Sequence, residues 1–263
     1  MSFRWHRVEA LLYKYFCICK NRLDRVFDLF FWPVVELMVW GFVSGFIAER
    51  TSGVNFLTIF LSGLILWSFV WATTRDLSIF VLEDYWGRNL YNQYASPVTT
   101  GELLASLLLW ASMRTIITFS ILVLVASALY KFSLFAIGWY AALFGSLLLL
   151  FGWAAGMFLA AMVFRFGMRF QVLTWSLTFL LMPFSCVFYP LAALPVWAQN
   201  IAKLLPTTYI FESLRSLILT GSFEQSFLIR AVLITLILLV LAGFLFALSI
   251  ESARKRGDFT RYA

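Results

Sequence analysis

Charge is the first thing this chain is short of. Asp, Glu, Lys and Arg make up only 13% of its 263 residues, about half the share of a soluble domain. A water-soluble globule could not cover its surface with so few, so lipid must be part of the solvent. Histidine is nearly absent, with His6 the single imidazole. That argues against haem-ligating spans and most metal-dependent or Ser–His intramembrane chemistry. Three cysteines, Cys17, Cys19 and Cys186, make no disulfide framework and, with one histidine, no zinc site. The chain has no Gly-x-x-x-x-Gly-Lys-Ser/Thr loop to cradle phosphates and no Gly-x-Ser-x-Gly nucleophile elbow. The first 28 residues mix aromatic and basic residues and lack the apolar core of about 7–15 residues that a cleavable signal peptide requires. No enzyme activity is expected of the chain, and no metal or bound cofactor.

What is present is apolar. Hydrophobic residues make up 62% of the chain, including 29 Phe, 11 Trp and 10 Tyr. Six segments are long enough to cross a hydrocarbon core of about 30 Å. They are Leu29–Ala48, Asn55–Thr74, Leu103–Tyr130, Leu134–Phe164, Val172–Tyr189 and Leu228–Ile250. Before them, over residues 4–27, Trp5, Val8, Leu12, Tyr15, Phe16, Cys19, Leu23 and Val26 recur at three- and four-residue steps. Arg7, Lys14, Asn21 and Arg25 lie opposite. This pattern predicts an amphipathic helix in the membrane interface, its basic face toward lipid head groups. The expected fold is thus an all-α membrane protein: an interfacial helix within residues 1–28, then six transmembrane helices, in one domain over 1–263.

Orientation follows from Lys and Arg. With the N-terminus inside, fourteen of these residues fall on the cytoplasmic side and four, Arg50, Lys131, Lys203 and Arg215, fall outside. Both termini are therefore expected in the cytoplasm. The net charge of +7 reads as this asymmetry rather than as nucleic-acid binding.

Two connecting segments stand out. Residues 75–102 are expected in the cytoplasm. Gly87 breaks the preceding helix, and Thr99 with Glu102 has the spacing of a capping box that starts the third span. Between them Arg88–Tyr94 reads as a short amphiphilic helix suited to a protein partner, with Trp86, Arg88, Asn89, Leu90, Tyr91, Gln93 and Tyr94 as candidate contacts. Residues 190–227 are expected outside, yet are largely apolar. Pro195 suits the start of one short helix, Thr207 or Thr208 can cap a second, and Gly221 can end it. Such half-helices either re-enter the membrane, buried against protein, or lie flat on the outer leaflet.

Inside the spans, Glu36 and Arg114 are the conspicuous charges. Each is expected to lie in the middle third of the bilayer, either paired with the other or facing a wet cavity alone. Gly41-x-x-x-Gly45 and Gly152-x-x-x-Gly156 read as close helix packing.

In this layout the chain resembles the permeases of ABC type-2 exporters, a family that includes drug, polysaccharide and teichoic-acid exporters. Two landmarks carry the resemblance. One is Ala95-Ser96-Pro97-Val98 with Glu102; the other is Val187-Phe-Tyr-Pro190 followed by Leu-Pro195, Leu-Pro206-Thr-Thr-Tyr209, Glu212 and Arg215. The resemblance implies a permease subunit that pairs with a second copy and docks two cytoplasmic ATPase subunits through residues 88–94. It implies ATP and magnesium on those partners and none on this chain. It also implies an outer re-entrant gate carrying Pro190, Pro195, Pro206, Tyr209, Glu212 and Arg215, and residence in the inner membrane of a prokaryote. The aromatic content suits a lipid-linked, glycan or amphiphilic cargo. A secondary transporter or channel is the alternative; it needs coupling-ion sites near the midplane, for which only Glu36 and Arg114 are available.

Overall fold

The computed structural model describes residues 3–51, 54–87, 96–222 and 224–256. Among these the protein is entirely helical, with no strand. Its helices are α1 (Trp5–Asn21), α2 (Leu23–Thr51), α3 (Val54–Trp86), α4 (Thr100–Tyr130), α5 (Tyr140–Phe166), α6 (Gln171–Leu181), α7 (Val196–Ala202), α8 (Pro206–Thr220) and α9 (Gln225–Arg256). Five stretches are long and apolar enough to cross a membrane: Leu23–Ile47, Phe56–Trp86, Thr100–Tyr130, Tyr140–Ser185 and Gln225–Ala253.

The centre of the bundle is the α3–α5 pair. Gly145 faces Phe69, Gly152 faces Thr73 and Gly156 faces Leu77, so the two helices run in the same direction. A Cβ on Gly152 would sit 2.9 Å from Thr73, and one on Gly156 would sit 2.8 Å from Leu77. The second glycine pair therefore works as read from sequence, letting two backbones approach. Of the first pair, Gly41 accommodates the ring of Tyr130, while Gly45 has nothing within 4 Å.

Around this pair α2 and α4 form one side. Thr118 donates to the carbonyl of Leu29, and the Tyr130 hydroxyl donates to the carbonyl of Met38, so α2 runs alongside the second half of α4. The first half of α4 is covered by α1 and the residue before it: Arg4, Tyr15 and Cys19 contact Glu102, Trp110 and Arg114 in turn. On the other side α9 packs on α5, with Phe246 against Phe164 at 5.7 Å.

The chain path after α5 corrects the expected fifth span. The Tyr85 hydroxyl donates to the carbonyl of Val163, whereas Phe188 stacks on Phe60 at 4.3 Å. Phe60 and Tyr85 lie 25 residues apart on α3, about 37 Å along its axis. Between Val163 and Phe188 the chain thus retraces most of α3. It turns at Gly167, whose φ of 70° suits glycine. It then climbs through a 3-10 turn (Gly167–Phe170), the 11-residue α6 and a second 3-10 turn (Met182–Ser185). That segment is not the regular helix over Val172–Tyr189 that hydropathy suggested; Pro183 stops α6 early by removing a backbone donor.

Other boundaries also move. The first helix ends at Asn21, not at residue 27, because Arg22 is extended (φ −124°, ψ 99°). Leu23 and Val26 belong to α2. The second span does not stop at Thr74: α3 continues to Trp86 and carries Arg75, Asp76, Glu83 and Asp84 into the protein, all buried. Gly87 ends it, as read.

Candidate functional site

A buried charge network joins the first four helices. Asp76 lies on α3, with Glu83 two turns further on and Asp84 beside it, so the three acids share one side of the helix. Arg114 of α4 donates through Nε to Asp76 Oδ2 at 2.6 Å, through NH1 to Cys19 Sγ at 3.1 Å and through NH2 to the Arg25 carbonyl at 3.2 Å. Arg75 shares the same carboxylate at 3.3 Å and lies over the Trp71 ring, 4.1 Å from its centroid. Glu83 receives Arg25 of α2 and also Arg22, at 2.8 Å, from the α1–α2 junction. Lys14 of α1 pairs with Asp84. Asp76, Glu83, Asp84, Arg75 and Arg114 are all nearly inaccessible, and burial is tolerable because each charge has an opposite one in contact.

The network extends to Glu102. Its carboxylate accepts from the backbone of Thr99, closing the capping box, and from the backbone of Arg4 at 2.7 Å. Arg7 pairs with it at 3.4 Å and also donates to the Pro97 carbonyl. The basic side of α1 is therefore spent on protein acids. Its apolar side divides: Val8, Tyr15 and Cys19 are buried with Leu11, while Trp5 and Phe16 remain exposed. Burial pushes the Cys19 thiol up from its usual range, with the Arg114 guanidinium pulling the other way.

Of the segment expected to meet a protein partner, Trp86 closes α3 and lies under the Arg25 guanidinium at 5.5 Å. Arg88, Asn89, Leu90, Tyr91, Gln93 and Tyr94 lie outside the described residues. The described residues on either side, Trp86 and Pro97, are both held by basic residues of the network.

At the opposite end, an ion pair fastens the loop of residues 186–191 to α8. Glu212 and Arg215, one turn apart on α8, pair at 2.9 Å. Glu212 accepts from the backbone of Leu191 at 2.6 Å, and Arg215 donates to the carbonyls of Cys186 and Tyr189, both at 2.9 Å. The loop carrying Pro190 is thereby fastened to α8. Pro195 precedes α7, and Gly221 ends α8 in the left-handed conformation (φ 72°), both as read. The cap of α8 differs: Pro206 occupies its first turn after Leu205, and neither threonine is the cap. Thr207 instead bonds Ser185 at 2.9 Å, and Thr208 bonds the carbonyls of Ala202 and Phe184. Tyr209 donates to the Lys203 carbonyl and packs on Phe227.

Glu36 and Arg114 do not meet. The Arg114 guanidinium sits at Arg25, eleven residues before Glu36 on the same helix, which is about 16 Å along the axis. Among the described residues Glu36 has no ion pair or hydrogen bond. Arg114 pairs instead with Asp76, which lies on α3 and not in a cytoplasmic connection. The signal that could have found it was the spacing of Asp76, Glu83 and Asp84, which fits a helix continued past Thr74.

A family model described as ABC-2 type transporter matches residues 16–219. The chain belongs to that family. The matched region runs from within α1 nearly to the end of α8, so it takes in the charge network apart from Arg4, Arg7 and Lys14, and the Glu212–Arg215 clamp. Comparison with individual curated proteins gives no match. The protein is thus an ABC-2 type permease, a multi-pass membrane protein, with no phosphate loop of its own.

Proposed function

We propose that this permease is the membrane half of an ATP-driven exporter, in which two copies form the pathway and two separate ATPase subunits dock on the cytoplasmic side. The observation that carries the reading is the buried charge network. It fastens α1, α2, α3 and α4 to one another at the end of the bundle where the 88–95 connection leaves α3. A push on that connection is then shared by four helices instead of being lost in a loop. ATP and magnesium belong to the partner subunits, which supply the hydrolysis this chain has no motif for. Six crossings are supported by the return of the chain through α6, which covers about 32 Å at helical and 3-10 rises, and the Lys and Arg asymmetry supports both termini inside. The protein resides in the inner membrane of a prokaryote.

The outer segment re-enters the membrane in this reading. Helices α7 and α8 have 7 and 15 residues, too few to span. Val196, Trp197 and Leu204 are well exposed on the protein, an arrangement suited to lipid rather than water. Of the two charges a channel or ion-coupled transporter could use, Arg114 is already paired within the protein, which leaves Glu36 alone. The cargo is amphiphilic, lipid-linked or a glycan.

The test is co-purification of the permease with a cytoplasmic ABC ATPase encoded beside it, followed by a vanadate-sensitive ATPase assay. Leu90→Asp with Tyr91→Asp is expected to release the ATPase while the permease still inserts. Co-purification that survives this double change sinks the docking assignment.

A further inference from the structure

We propose that Trp32, Glu36 and Trp40 on α2 form a binding site for a cationic amphiphile, the cargo class of this permease. The inference rests on the exporter reading above and narrows its cargo.

The three residues are spaced by four and therefore stack on one side of the helix. They lie within the membrane-spanning stretch Leu23–Ile47, with Glu36 eight residues past Asp28, about 12 Å along the helix. Trp32 is 56% exposed and Trp40 36%, and Glu36 lies between them, partly buried. Asp76, Glu83, Asp84, Glu102 and Glu212 each have a basic partner. Glu36, deep in an apolar span, has none among the described residues. An ionised acid in such a place is costly without a counter-charge. Such a carboxyl either keeps its proton or meets an opposite charge, and beside the two tryptophans a bound cation supplies that charge.

The surroundings specify that molecule. A tryptophan face is the best aromatic surface for a cation, effective within about 6 Å of the ring. Side chains four apart on a helix are neighbours at roughly 6 Å, so one ammonium-sized group can touch the Glu36 carboxylate and a tryptophan ring together. Trp40 is held by stacking on Phe188 at 5.5 Å and by Phe60 at 5.8 Å, and Trp32 by Phe31 at 5.4 Å. The Trp40 ring is thus placed before the ligand arrives. Exposed Val39 and Val43 continue the same side of α2 and provide apolar surface for an alkyl or aryl body. A neutral sugar would also stack on the rings, but only a cation adds an attraction to the Glu36 carboxylate, so the cation is favoured.

The experiment uses the full-length permease in lipid nanodiscs and radiolabelled tetraphenylphosphonium as the probe. Binding is expected to saturate, and Glu36→Gln to weaken it at least tenfold, with Glu36→Asp weakening it less. Trp32→Leu is expected to weaken it several-fold. Below its micellar concentration, dodecyltrimethylammonium should displace the probe at least ten times more effectively than dodecyl maltoside. Absence of saturable binding, or equal affinity in the monodisperse Glu36→Gln protein, overturns the proposal. Displacement by the maltoside as readily as by the ammonium overturns it in favour of a glycan. Conversion of a dimer to a monomer in Glu36→Gln, with binding unchanged, overturns it in favour of a contact with a second copy. Co-purification of the ATPase is scored on the same preparations, so loss of cation binding with the ATPase retained faults this inference and leaves the exporter reading intact.

Discussion

The Arg114 Nε–H donates to Asp76 Oδ2 over 2.6 Å, and the two side chains are 7% and 3% exposed. Asp76 also serves Arg75, so the two partners are not equivalent. Asp76→Ala leaves two buried guanidinium groups unpaired and is expected to cost about 3–5 kcal/mol. Arg114→Met leaves Asp76 its pairing with Arg75 and should cost clearly less. Thermal unfolding of the two variants in detergent checks the order; equal losses would show that Asp76 is not the shared anchor.

Lys14 and Asp84 fasten α1 to the end of α3. Lys14→Asp or Asp84→Lys alone places like charges together. The exchanged double variant is expected to recover at least half of the lost stability, because pairs in contact are not additive. If both single changes are silent, the Lys14–Asp84 pair does not hold α1, and its other contacts to α4 suffice.

The seam between α3 and α5 makes a sharp steric prediction. At Gly156 an added methyl meets Leu77 at 2.8 Å, whereas at Gly45 it meets nothing within 4 Å. Gly156→Ala should therefore cost roughly 1–3 kcal/mol through overpacking. Gly45→Ala should be neutral, or stabilising by up to about 1 kcal/mol through helix propensity. Melting temperatures that fall equally would show that the α3–α5 approach is looser than described.

Thiol labelling separates the two α1 cysteines. Cys19 is buried and its pKa is raised, so its thiolate fraction grows only at higher pH than that of an ordinary thiol. Cys17 is half-buried. Maleimide at pH 8 is expected to modify Cys17 first, with Cys19 lagging until the protein unfolds, as read by peptide mass spectrometry. Faster reaction at Cys19 would mean that α1 detaches readily from α4.

Single cysteines also test re-entry of the outer segment. Ala198 is 2% exposed, while Ile201 is 41% exposed and Ser222 is exposed. An impermeant thiol reagent should label Ser222→Cys quickly and Ala198→Cys hardly at all, wherever the membrane lies. Ile201→Cys decides: slow labelling is expected if its surroundings are lipid, and labelling as fast as at Ser222 would put α7 in water.

The sequence by itself determined what depends on composition and on near neighbours. Few charges and long apolar segments dictated a helical membrane protein, because a backbone in hydrocarbon must satisfy its own hydrogen bonds. The Thr99–Glu102 capping box, the ends of α3 at Gly87 and α8 at Gly221, and the close approach at Gly152 and Gly156 were legible because each is settled within a few residues. Tertiary structure alone decided the length of α3, the early end of α6 and the partner of Arg114. Hydropathy ended the second span at Thr74, since Arg75, Asp76, Glu83 and Asp84 look like the start of a polar connection. They remain in a buried helix because Lys14, Arg22, Arg25 and Arg114 come to meet them from other helices. Those partners stand 38 to 70 positions away along the chain, beyond the reach of any local pattern. A buried charge is tolerated only when an opposite one is in contact, and which charges come into contact is set by how the helices pack.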